Sequence, residues 1–436
     1  MENEAASPAS SLDAGDHRTL GRELGLFALD AEVGKGLPLW LPNGTVVRDE
    51  LEKLAKELEF KAGFVRVATP HLARTELYRR SGHLPYYERD MYPKIEVLEV
   101  LEDGDKGALK DEYALRPMNC PHHHRVFAAE PRSYRDLPLR LAEYGQVYRW
   151  ERSGALAGLA RVRGMCMNDG HIYCTAEQVA GELNAVLDMY GDVYRLLGID
   201  DARFRLSLRD ANDARGKYVD DEGSWQWAEG VLRDILVARG VDYEPGVGHA
   251  AFYGPKIDIQ VRTLGGTEET LSTVQLDFVQ PARLGLRYTA RSGQPAVPFC
   301  IHRAPLSTHE RFVAFLVERF GGALPTWLAP VQVRVLPVSD AQRDYAAEIV
   351  RRLRGQFVRA ETAAAGETLA RNVRDASARK VPNIVVVGRR EQADGTVTLR
   401  TLGSEKQLTL RIDVLERQLL RTIEERRLAF VEPEIA

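Results

Sequence analysis

Three short segments carry side chains that could hold a metal. Cys120 precedes His122-His123-His124, His171 and Cys174 lie three apart, and Cys300 and His302 flank Ile301. Thiolate and imidazole are zinc ligands by type, yet none of these local spacings matches a zinc finger. The segments would have to converge in space, and buried free cysteine is the plainer alternative. A second chemistry is anion binding. Arg149 and Glu151 stand two apart in a strand-like run, Leu141 to Glu151, which would put them on one face. After a Gly/Ala loop, Ser153 to Gly158, the return run Leu159 to Arg163 again places two arginines two apart. Guanidinium forks suit phosphates and carboxylates, although a solvated hairpin face fits the same pattern. Further on, Ser307 and Glu310 have the spacing of a capping box. A helix is expected to start there, with Arg311 in its first turn reinforcing a positive end. The alternative is an arginine paired with a nearby carboxylate.

These residues need elements to position them. Val47, Leu51, Leu54 and Leu58 form a helical stripe that Gly63 ends, and Phe64 to Thr69 reads as a strand stopped by Pro70. Val179, Leu183, Val186, Tyr190, Val193 and Leu197 form a second stripe, capped by Thr175 with Gln178 and closed by Gly198. In Lys256 to Val261 and Thr273 to Phe278, apolar residues alternate with Lys, Asp, Gln and Thr. One face is core. The other suits either water or a ligand. Glycines and prolines between Gly321 and Pro330 mark a boundary. Beyond it, a strand (Val331 to Leu336), a helix (Ala341 to Leu353), strands (Asn383 to Val387, Thr396 to Arg400, Gln407 to Leu410) and a last helix (Val414 to Arg427) make a small α/β module.

The chain has 436 residues, 44% hydrophobic and 28% charged, an ordinary globular mix long enough for two or three domains. No apolar run is long enough to span a membrane. Residues 1–16 are acidic and Ser/Ala-rich, read as a disordered tail rather than a signal peptide. Four cysteines without a CxxC pair suit a reducing cytosol. The net charge is −4, but residues 331–436 alone carry +4, so a nucleic-acid contact would sit at that end.

Together the segments resemble the class II aminoacyl-tRNA synthetases, from about His17 to Arg427. The helix and strand ending at Pro70, Arg149-Trp150-Glu151, and Glu310-Arg311 are similar to motifs 1, 2 and 3 of that class. Longer strings resemble its threonyl branch: Met118-Asn119-Cys120-Pro121, Ser133 to Arg140, Arg161 to Gly164, Asn168 to His171, Phe252 to Lys256, Thr273 to Phe278 and Pro325 to Gln332. The resemblance implies an α+β catalytic domain on an antiparallel sheet (17–325) and a C-terminal α/β anticodon-binding domain (326–436).

It also implies roles. Cys120, His171 and His302 would hold zinc with a position left open for the amine and hydroxyl of threonine, which valine cannot match. Asp169 would accept from the substrate hydroxyl, with Tyr253, Gln275 and Met118 as further amino-acid contacts. Arg149, Glu151, Arg161, Lys256 and Arg311 would bind ATP with magnesium. Arg149 and Arg311 would stabilise in-line attack of the carboxylate on the α-phosphorus. His83 would be a general base for transfer to the tRNA ribose. Glu391 and Arg400 fall where the family reads anticodon bases.

Three departures accompany the likeness. No room precedes His17 for the ubiquitin-like and editing domains of the usual bacterial enzyme, so serine would be misactivated and cleared, if at all, by a free-standing editing factor. Ser307-Thr308-His309 stands where a glycine is common before Arg311, and Met165 where an aromatic is common. Glu361 to Gly366 is poor in the polar residues that read bases. The expectation is a cytoplasmic, homodimeric ligase joining threonine to tRNA(Thr). The alternative is a paralogue that activates threonine for another acceptor, such as a carrier protein.

Overall fold

The computed structural model describes residues 14–100, 106–213, 216–363 and 366–433. Most of the expected tail therefore lies outside the described residues. Asp16 does not belong to it: its carboxylate accepts from the amide of Arg18 and caps a helix, α1, at His17–Glu23.

The larger part is built on an eight-stranded sheet. Its strands in chain order are β1 (Val65–Arg66), β2 (Leu139–Tyr148), β3 (Gly164–Cys174), β4 (Arg203–Leu208), β5 (Tyr243–Val247), β6 (Lys256–Arg262), β7 (Glu268–Asp277) and β8 (Phe299–Ala304). Their order in space is β5-β4-β6-β7-β8-β3-β2-β1. The six central strands pair antiparallel, as expected; the two edge pairs, β5 with β4 and β1 with β2, are parallel. The strand expected over Phe64 to Thr69 shrinks to β1: Val67 N still donates to Ala142 O of β2, but Thr69 N leaves the ladder for the Glu143 carboxylate.

Side chains alternate across this sheet, and the alternation makes the site. Ile172, Cys174, Ile257, Ile259, Val274, Leu276 and Ile301 enter the main core. Against them pack α2 (Pro42–Lys61), α3 (Ala176–Leu196), α4 (Glu222–Ala238) and α5 (His309–Arg319), through residues such as Val47, Leu51, Val186, Leu232 and Phe312. Burying one such side chain contributes roughly 1.5–3 kcal/mol. Both expected stripes are these faces: α2 carries Pro42 in its first turn, and α3 has the Thr175–Gln178 capping box. The residues between the core positions, such as Met165, Met167, Asp169, His171, Thr273, Gln275 and His302, face the opposite way and line a cleft.

Residues 333–424 form a second sheet of β9 (Val333–Pro337), β10 (Ala360–Thr362), β11 (Asn383–Val387), β12 (Thr396–Thr401) and β13 (Gln407–Arg411), ordered β10-β9-β11-β12-β13. Helices α6 (Arg343–Gly355) and α8 (Ile412–Glu424) pack on one face around Val335, Ile349, Val385 and Leu415, and α7 (Leu369–Ala378) packs on the other through Ala376 with Leu336 and Ile384. The sequence reading missed β10 and α7. Ala364 and Ala365, in the stretch poor in polar residues, lie outside the described residues.

Candidate active site

The cleft has a volume of about 440 Å³. Ten of the expected site residues line it: Met118, Cys120, Arg149, Asp169, His171, Tyr253, Lys256, Gln275, His302 and Arg311. Strand register brings several of them together. His302 of β8 lies directly opposite His171 of β3 on one side and Gln275 of β7 on the other. Cys120 starts a short helix, Cys120–Phe127, behind them.

Donor atoms of Cys120, His171 and His302 all lie within 4.8 Å of one another, and all three residues are buried. The second nitrogen of each histidine is already engaged. His302 Nε2 is 2.9 Å from Asp277 Oδ2, and His171 Nδ1 is 2.8 Å from His123 Nδ1. His171 Nε2 is buried without a hydrogen-bond partner. An orphaned nitrogen beside a thiol and a second imidazole fits a divalent zinc ion. Burial pushes the Cys120 thiol well up.

Asp169 stands beside this group. Burial raises its pKa, and Asn119 Nδ2 donates to it at 3.1 Å. Asn119 can sit there because Gly145 has no side chain: a Cβ would lie 2.3 Å from Asn119 Oδ1. The Tyr253 ring stacks on His302 at 4.9 Å, and its hydroxyl donates to Gln275 Oε1. Lys256 is held by Asp258, its Nζ 2.8 Å from Oδ2.

At the other end of the cleft the arginines differ from expectation. β2 stops at Tyr148, and Glu151 N donates to Arg149 O at 2.9 Å. That tight turn separates Arg149, which lines the cleft, from Glu151, which does not. Glu151 instead pairs with Arg161 at 2.8 Å, and Arg163 stacks on Trp150 at 4.0 Å. The run Leu159 to Arg163 is no strand; β3 begins at Gly164. Thr308, not Ser307, caps α5, and its hydroxyl accepts from Arg311 N at 3.2 Å. Ser307 has φ 50° and gives its carbonyl to Asn168 N. The Glu310 carboxylate is not in a capping box. It accepts from Cys166 N and Trp40 Nε1, and burial raises its pKa to about 7. Arg311 lies in the first turn as expected, with its pKa lowered by burial.

His83 does not face the cleft. It is fully buried behind Cys120, with Nδ1 2.7 Å from Ser81 Oγ and Nε2 3.4 Å from Cys120 Sγ. Burial lowers its pKa to about 3. Glu391 spends both carboxylate oxygens locally, on Gly388 N and the Thr398 hydroxyl. Thr398 and Arg400 are two apart on β12, so Glu391 and Arg400 share a face.

The sequence reading overlooked Arg303. It is buried, lines the cleft and pairs with Glu59 at 2.8 Å, leaving Nε and Nη1 without partners. Gly170 makes room for it, since a Cβ there would lie 2.5 Å from Arg303 Nε. An arginine inside an apolar strand was the available signal. His123, Glu143 and Asp277 were also passed over.

A cleft with a zinc-type donor set at one end and arginines at the other, on an antiparallel sheet with a separate α/β module, defines a class. Residues 102–320 match the tRNA synthetase class II core domain (G, H, P, S and T), and residues 332–422 match an anticodon binding domain. The chain belongs to the class II aminoacyl-tRNA synthetases. Within that class it is 46% identical over 409 residues to a threonine–tRNA ligase of Streptococcus gordonii, covering 94% of this chain and 62% of the relative. It thus spans less than two thirds of the length of the curated relatives it matches. Among solved structures it is similar to the RNA binding domain of threonyl-tRNA synthetase from Cryptosporidium parvum (TM-score 0.83, 33% identity, 95% of this chain and 98% of that one). It is also similar to a putative threonyl-tRNA synthetase from Aeropyrum pernix (TM-score 0.80, 28% identity, 94% and 95%).

Proposed function

We propose that the chain activates L-threonine with ATP and transfers the threonyl group to tRNA(Thr). The observation that carries this reading is the cluster of Cys120, His171 and His302 beside Asp169, at one end of a cleft whose other end holds Arg149 and Arg311. Zinc on those three donors would offer a Lewis-acidic position to an amine and a β-hydroxyl together; threonine has both, and valine lacks the hydroxyl. Asp169 accepts from the substrate hydroxyl, and Tyr253 with Gln275 closes the amino-acid end. Arg149 and Arg311 hold the carboxylate and the triphosphate, which arrives with magnesium, and stabilise charge as pyrophosphate leaves. Arg161 and Glu151, paired at the rim, meet the nucleotide from outside, and Lys256 reaches it by exchanging Asp258 for phosphate. His83 serves the ribose only if the segment Ser81–Tyr87 shifts.

Serine carries the same amine and hydroxyl, so this donor set alone would not exclude it. Serine mischarging, cleared by a free-standing editing factor, belongs to this reading. So do a cytoplasmic location and a homodimer. No helix among the described residues is long and apolar enough to cross a membrane. Phe60 on α2 is 82% exposed, and Leu72, Ile95, Val97 and Leu109 stand exposed on a three-stranded sheet of residues 72–74, 95–100 and 106–115, apolar surface that supports pairing of two copies.

The test is amino-acid-dependent pyrophosphate exchange and tRNA(Thr) charging by zinc-loaded protein. Exchange with threonine and serine but not valine, and charging with both, is the expected result. Exchange without charging would favour the non-tRNA acceptor; no exchange with threonine would overturn the reading.

A further inference from the structure

His171 is aimed by residues outside the cleft. Glu143 is 5% exposed. Its Oε2 lies 3.0 Å from His123 Nε2, and His123 Nδ1 lies 2.8 Å from His171 Nδ1. Each link allows one assignment of protons. An ionised carboxylate only accepts, so His123 Nε2 carries a hydrogen. Were His123 protonated on both nitrogens, His171 would have to accept at Nδ1 and place its own hydrogen on Nε2. That atom is buried and has no acceptor, which is a costly arrangement. His123 Nδ1 therefore accepts from His171 Nδ1–H, and the lone pair of His171 Nε2 points at Cys120 and His302.

We propose that Glu143 and His123 are positioning residues that fix the tautomer of His171 and thereby the metal affinity of the site. The proposal rests on the zinc reading above. It makes the two histidine ligands unequal. Asp277 holds His302 directly, at 2.9 Å, whereas Glu143 reaches His171 only through a second imidazole. Carboxylates behind metal-bound histidines commonly act this way.

The surroundings of Glu143 make an isosteric test decisive. Its Oε1 accepts from Thr69 N at 2.9 Å and from Arg116 Nη1 and Nη2 at 3.4 Å. All three are donors, so a glutamine must keep its oxygen there and turn its NH₂ toward His123. His123 would then accept at Nε2 and donate from Nδ1, and His171 would carry its hydrogen on Nε2, toward the metal.

Zinc affinity is measured by chelator competition on the full chain, and the tautomer of His171 by long-range proton–nitrogen NMR. Glu143→Gln is expected to weaken zinc binding roughly ten- to a hundredfold. His123→Asn offers an oxygen that only accepts where Nδ1 was, and should stay within a few-fold of wild type despite its smaller volume. Should Glu143→Gln fail to fold, His123→Ala replaces it, with the same expected loss. Wild-type affinity in Glu143→Gln, or a larger loss in His123→Asn than in Glu143→Gln or its replacement, would overturn the positioning role alone. A wild-type chain that binds no zinc would overturn the metal reading beneath it.

Discussion

Glu310 couples the stability of the fold to solution pH. Its carboxyl titrates at about 7 in the fold against an ordinary 4.5. Between those values the native chain holds a proton that the unfolded chain releases. Stability is then fully present below about pH 4.5 and falls as pH rises to about 7, by a contribution on the order of 3 kcal/mol. Denaturant midpoints measured from pH 5 to 7.5 should show that decline, and Glu310→Gln should flatten it. An unchanged slope in the variant would assign the decline to another group. At the metal end, Cys120→Ala should cost stoichiometric zinc and lower threonine-dependent pyrophosphate exchange by roughly two orders of magnitude, with dialysis against a chelator reproducing the loss in the wild type. Residue types pointed to candidates, cysteine and histidine for a metal and arginine for an anion, and the structure brings many of these candidates to one cleft. What they could not announce was the partner of each. His171 and His302 become neighbours only through the pairing of β3 with β8, a contact across more than a hundred residues of sequence. Arg303 was overlooked because its neighbour His302 carried the metal signal, and its ion pair with Glu59 exists only once α2 packs on the sheet.

Among elements, strand alternation was the most legible feature and strand ends the least. Lys256, Asp258, Thr273 and Gln275 face the cleft as their two-residue period requires. Arg149 and Glu151 were read with the same rule and part company, because a turn at the end of β2 overrides the period. Helix starts failed in a related way. The Ser307–Glu310 spacing suits a capping box, but Glu310 is drawn into the core by Cys166 N and Trp40, leaving Thr308 to cap α5. Thr308→Ala should therefore destabilise the fold by about 1 kcal/mol and raise KM for ATP more than KM for threonine, since Arg311 leans on that cap. Close packing between elements gives a complementary test. Gly145→Ala would drive a Cβ into Asn119 and release Asp169. Steady-state exchange should then show KM for threonine up roughly tenfold, the equivalent of about 1.4 kcal/mol, with KM for ATP unmoved.

Across the whole molecule, one arginine does much of the joining. Arg359 lies beside β10 in the smaller module. It donates from Nε to Ala329 O at 3.0 Å and from Nη2 to Trp327 O at 2.8 Å, and it pairs through Nη1 with Glu50 of α2. Arg426 adds a pair with Glu57 at 2.6 Å, one helical turn from Phe60. Arg359→Ala should loosen the smaller module while sparing the cleft. Limited proteolysis near Gly321–Pro330 should quicken, and tRNA charging should fall several-fold with pyrophosphate exchange unchanged. Equal loss of both activities would mean that the joint also shapes the cleft.

If Cys120, His171 and His302 hold zinc as proposed, the consequence goes beyond substrate choice. They come from positions 120, 171 and 302, so an ion bridging them closes loops of about 50 and 130 residues. An unfolded chain has no such preformed set, and zinc at a thousand times its dissociation constant would then add about 4 kcal/mol to the folded state. On the proposed zinc reading, a shortage of the metal would cost more than selectivity between amino acids: fewer copies of the chain would be folded at all.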